Sequence, residues 1–163
     1  MGRVDAALQR IDEAEAQFQV SGDAIGMAWV PYHRGKTIAL TGDLETAATL
    51  LRTAKANAVE RPEGYLELHS RFELMRVAIR QGDFETGHRE AREVAAGYRE
   101  EGLKLDLAET LIEQSRAESR VGEPAKAVAL AEEALALASS EGAGYYTVSA
   151  LTQLVRLGEF EHC

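Results

Sequence analysis

Residues that stop helices recur along this chain about every twenty positions, and that spacing restricts it to a fold built from short, repeated helices. Gly2, Gly42, Gly82 and Gly122 stand forty apart, followed by Arg3, Asp43, Asp83 and Glu123. Gly158-Glu159 comes thirty-six residues after the last of them. Half a period away, Gly22, Pro62, Gly102 and Gly142 form a second series with the same spacing. Glycine and proline both interrupt helices, the first through conformational freedom and the second through its missing N–H.

Between the stops the apolar residues step by three or four. Tyr65, Leu68, Phe72, Met75 and Ile79 make one stripe, with His69, Glu73, Arg76 and Arg80 on the adjoining face. Ala, Leu, Glu and Arg dominate the composition, and all four favour helix. Asp43 and Asp83 are suited to cap the first-turn amides, and Pro124 suits a first helical position. The pattern predicts eight helices, over 3–20, 24–40, 43–60, 64–80, 84–100, 104–120, 124–140 and 144–156. Turns this short make consecutive helices antiparallel neighbours.

Small residues also recur in columns: Ala47, Gly87 and Ala127 in one, Ala54, Val94 and Ala134 in another. Together with Ala28-Trp29, Gly35 and Gly42-Asp43-Leu44, echoed by Gly82-Asp83-Phe84, they make a pattern that resembles the tetratricopeptide repeat. The resemblance runs along essentially the whole chain, with a period of forty where the family usually has thirty-four. Met75 and Ser115 stand where later repeats would carry the counterpart of Gly35. It implies an all-α, right-handed α-solenoid of antiparallel helix pairs. Forty-residue arrays of this kind resemble those of large bacterial transcriptional regulators, sensor proteins and signalling adaptors.

On this reading residues 1–163 form a single repeat domain. Repeats cover 2–41, 42–81, 82–121 and 122–157, and another starts at 158. The first motif is the second helix of a pair without its partner, so the chain reads as a piece of a longer array or as one completed by association. Self-association through open ends, with Leu151 and Leu154 in the contact, is the alternative function to partner binding.

Other classes find little support. The net charge of −9 opposes the sequence-independent attraction that drives nucleic-acid binding. No stretch reaches the ~20 apolar residues of a membrane span, and Met1–Val20 has no signal-peptide core. Cys163 is the lone cysteine, which excludes an intrachain disulfide and favours a reducing cytoplasm. Gly35-Lys36-Thr37 ends like a phosphate-binding loop, but Val30 stands where that loop needs glycine, and no strand precedes it. Gly142-x-Gly144 has Thr147 where a dinucleotide fingerprint needs its last glycine. His33, His69, His88 and His162 lack zinc-ligand spacing, with or without Cys163. We therefore expect no catalytic residues, no metal and no cofactor.

Charge is distributed unevenly. Helices that follow a Gly-Asp stop hold most of the acidity, whereas those that precede it, here called first-type helices, carry a basic ladder. Lys36, Arg76 and Arg116 recur at forty; Arg80 and Arg120 lie one turn further, and Arg156 falls two residues before Gly158. In the family that the chain resembles, first helices line a concave groove, which implies a groove carrying these six cations. Trp29 would stand on it, with Tyr32 and Phe72 at its margin. Guanidinium engages carboxylate through two parallel hydrogen bonds, so the expected partner is an acidic or carboxylate-ended protein segment. A simpler account is also open: last-turn cations complement the helix dipole, and Glu73 and Glu113 can pair with Arg76 and Arg116 within their helices.

Overall fold

The computed structural model describes residues 2–60 and 64–160. Pro62, His162 and Cys163, which figure in the sequence reading, lie outside the described residues. Among these, all regular structure is helical: α1 (Arg3–Ser21), α2 (Ala24–Ala39), α3 (Leu44–Glu60), α4 (Gly64–Gln81), α5 (Phe84–Glu100), α6 (Lys104–Arg120), α7 (Pro124–Ser140) and α8 (Gly144–Phe160). Seven of the expected helices are matched to within a residue at either end. The eighth runs four residues longer and continues through Gly158. A Cβ on Gly158 would meet nothing within 4 Å, and a lone glycine in a helix costs only about 1 kcal/mol relative to alanine.

The stops work as their chemistry requires. Gly42 adopts φ 94°, a left-handed conformation that a residue with a Cβ takes only under strain. One residue on, the Asp43 carboxylate accepts from the Thr46 amide at 3.1 Å, and Asp83 accepts from Thr86 at 3.0 Å. These bonds hold both carboxyls below the usual range: the Thr46 side chain and amide act on Asp43, and the Thr86 amide and side chain on Asp83.

The chain divides into two compact units, Met1–Glu90 and Ala91–Cys163, and each is described by itself. In the first unit α1 packs on α2, α2 on α3 and α3 on α4, with a further contact between α2 and α4. In the second, α6 packs on α7 and α7 on α8, and α6 also meets α8. Within each unit helices adjacent in sequence are therefore adjacent in space, the packing of an α-solenoid.

The small-residue columns make this packing possible. In the first unit Ala47, Leu51 and Ala54 are fully buried in a core with Tyr32, Leu66 and Leu74. Gly35 lies so close to α3 that an added Cβ would stand 3.0 Å from Leu51 Cγ and 3.1 Å from the Ala47 carbonyl. In the second unit Ser115 occupies the corresponding position, two periods on. Its hydroxyl donates to the Ala127 carbonyl at 2.7 Å and accepts from Gln153 Nε2 at 3.2 Å. Ala127 and Ala131 also receive Leu157 and Leu154 of α8. Leu154 thus packs inward, and of the two leucines expected at an open end only Leu151 remains exposed.

Candidate functional site

In the first unit the ladder is built on α2 and α4. Lys36 and Arg76, one period apart, converge on Glu73: Nζ lies 3.5 Å and Arg76 Nη1 3.3 Å from its Oε1. The Glu73 side chain is only 5% exposed, so both cations cover a buried carboxylate. Burial opposes the charge on Lys36, but the Tyr32 hydroxyl and the Glu73 carboxylate outweigh it and raise its pKa. Lys36 also lies 5.8 Å from the centre of the Tyr32 ring, and the Arg76 guanidinium 5.7 Å from that of Phe72. Arg80 donates to the carbonyl of Ala39 at 2.8 Å, satisfying a helix-end acceptor on α2.

The aromatic residues lie deeper than the sequence reading placed them. Tyr32 and Phe72 are buried, so they support the cations from beneath instead of forming an open margin. Trp29 is half-buried, edge-on to Tyr32 at 5.4 Å and close to the rings of His33 and His69. It faces an open cavity of about 420 Å³ between α1 and α2, with Ile11, Ala14, Phe18, Val30 and His33. Burial, then Lys36 nearby, lowers the His33 pKa and favours the neutral imidazole.

In the second unit Arg116 and Arg120 of α6 and Arg156 of α8 line one open cavity of about 280 Å³, with Ser119 and the buried Gln153. Arg116 Nη1 bonds Glu113 at 2.6 Å, while its Nε is buried without an acceptor. Arg120 and Arg156 are exposed and pair with no described carboxylate. Because α8 continues to Phe160, Arg156 matches Lys36, Arg76 and Arg116 at a strict forty, not the second rung of Arg80 and Arg120. Counting forty onward from Arg116 finds it; the interval set by Gly158 hid it. Two turns nearer the N-termini of the same helix pair, Tyr146 donates to Glu109 at 3.2 Å, and burial together with that carboxylate pushes the phenol up to about 12.

Among the described residues no group of three or more His, Cys, Asp or Glu could hold a metal ion, and no helix is long and apolar enough to cross a membrane.

Residues 68–93, covering most of α4 and the first half of α5, match the family model of the tetratricopeptide repeat. That segment is thus similar to a tetratricopeptide repeat, a class whose helix pairs generally mediate protein–protein contacts. No curated protein sequence matches the chain.

Proposed function

We propose that the chain is a non-catalytic module that binds an acidic or carboxylate-ended protein segment on its first-type helices, as the interaction part of a larger bacterial regulator. The observation that carries this reading is the cavity where Arg116, Arg120 and Arg156 meet. Three guanidinium groups in one concave site, of which Arg116 is bonded to Glu113, offer paired N–H donors to a carboxylate. The first unit plays a lesser part, because Glu73 already neutralises one charge of Lys36 and Arg76, and Arg80 is bonded to Ala39. A cytoplasmic setting accords with this role.

The test is fluorescence anisotropy with a labelled peptide of alternating Glu and Leu ending in a free carboxylate. Arg120 and Arg156 are exposed, so R120E/R156E removes the charge without touching a core. At low salt the wild-type chain binds and the double variant loses at least about tenfold, roughly 1.4 kcal/mol. Binding also weakens at high salt. Equal affinity of the two proteins, or no binding by either, refutes the reading.

A further inference from the structure

We infer that the first unit binds a small phosphate- or carboxylate-bearing molecule in a cavity formed by α3, α4 and the start of α5. The inference is independent of the arginine site in the second unit and involves neither α1 nor α8. The cavity holds about 220 Å³, and its apolar lining comes from Ala48, Leu74, Val77 and Ala78. Arg52 and Lys55 of α3, Gln81 at the end of α4, and Thr86 and Arg89 of α5 supply its polar groups, together with Asp83 and Glu90.

This polarity departs from the pattern of the other repeats. Glu90 occupies the position that Leu50 and Leu130 hold forty residues to either side. Arg71 stands where α2 and α6 have Pro31 and Leu111, and Lys55 where α5 and α7 have Ala95 and Leu135. Leu111 is 1% exposed, so in the second unit that position belongs to the core. In the first unit the same positions form an ion cluster. The buried Glu90 carboxylate lies 2.9 Å from Arg71 Nη1, 3.5 Å from Lys55 Nζ and 4.0 Å from Arg89 Nη2. Exchanging apolar side chains for such a cluster seldom adds stability, because desolvation cancels most of the attraction between the charges. A local departure from a fold's own rule is where function is expected.

Three cations and two carboxylates line the cavity, and both carboxylates are already engaged. Asp83 caps α5 through the Thr86 amide at 3.0 Å, and Glu90 is held by Arg71, which is not part of the lining. Arg52 is exposed and enters none of these pairs. Besides its long contact to Glu90, Arg89 reaches the Thr86 hydroxyl at 3.4 Å. Arg52, Lys55 and Arg89 thus hold more N–H donors than the protein acceptors around them use, in a chain whose net charge is −9. An oxyanion supplies the missing acceptors through charge-assisted hydrogen bonds. The volume lies below the ~300 Å³ at which pockets for drug-sized ligands begin, so the occupant is of the size of a phosphate or a short dicarboxylate. Bound there, it ties α3 to α5.

The test is an NMR titration of the isotope-labelled chain with inorganic phosphate and, separately, with succinate, each up to about 50 mM at neutral pH and constant ionic strength. At least one of the two should give saturable shifts centred on the amides of Arg52, Lys55, Thr86 and Arg89. The anion that saturates at the lower concentration identifies the ligand as a phosphate or a carboxylate. R52Q/R89Q alters two exposed side chains, so its spectrum should remain that of a folded chain while its affinity falls at least about tenfold. R10Q/R99Q removes the same charge at exposed positions elsewhere and should bind as the wild type does. Shifts that saturate with neither anion, saturable shifts confined to the cavity of Arg116, Arg120 and Arg156, or equal affinity of wild type and R52Q/R89Q would each overturn the inference.

Discussion

The hydroxyl of Ser115 donates to the carbonyl of Ala127 at 2.7 Å, at the same register where Gly35 abuts the carbonyl of Ala47. One repeat admits its neighbour by having no side chain; the other admits it by converting the close carbonyl into a hydrogen-bond acceptor. Ser115→Ala should therefore destabilise the second unit although alanine is the better helix former. It removes the bond to Ala127 and leaves Gln153 Nε2 without its buried acceptor, a loss of about 1–3 kcal/mol. Urea unfolding should show a lower midpoint at unchanged m-value.

Gly35 and Gly158 both lie inside helices, but they should respond oppositely to substitution. Gly35→Val forces branched carbons against Leu51 and the Ala47 backbone, and overpacking of this kind costs about 1–3 kcal/mol. Gly158→Ala meets open space and should stabilise by about 0.5–1 kcal/mol through reduced freedom of the unfolded chain. Thermal melts of the two variants against wild type check the opposed signs. Equal shifts would show that packing at Gly35 is looser than its contacts imply.

These two glycines also mark what the sequence could reveal. Gly42 and Gly82 stop helices because Asp43 and Asp83 follow and accept the free amides of the next helix; that local chemistry can be read directly. Gly158 lacks a left-handed turn and sits within α8, where neighbouring contacts outweigh its weak helix preference. The same misplaced stop shifted Arg156 out of register with Arg116. Tyr32 read as a groove aromatic because periodicity assigns a face but not a depth. Only the packing of α3 and α4 on α2 places it in the core. Pairing of Arg76 with Glu73 and Arg116 with Glu113 was readable at i, i+3, whereas the reach of Lys36 to Glu73 across a period was not.

The two capping aspartates give stability a defined pH dependence. Their folded-state pKa values lie below the ordinary 3.8, so the stabilisation is present above that value and fades as pH falls through the depressed folded value. Wild-type Tm should therefore drop between about pH 5 and about pH 2.5. D43N/D83N keeps an accepting oxygen at each cap but cannot titrate there. Its Tm should fall less over the same interval, and curves that run parallel to the wild-type curve would assign the acid lability to other carboxylates.

Glu90 provides the sharpest electrostatic test in the first unit. Its carboxylate, 9% exposed, lies 2.9 Å from Arg71 Nη1 and 3.5 Å from Lys55 Nζ. Burial opposes the charge on Arg71, but Glu67 and Glu90 outweigh it and raise its pKa. Removing Glu90 leaves Arg71, itself 20% exposed, with only the more exposed Glu67 at 2.9 Å. An uncompensated buried cation costs several kcal/mol; partial exposure of the partners reduces this to about 1–3 kcal/mol. Glu90→Ala should lower the urea midpoint by that amount, and adding Arg71→Met should recover much of it by removing the stranded charge. A double variant no more stable than the single would mean that Arg71 acts through its apolar stem rather than its charge.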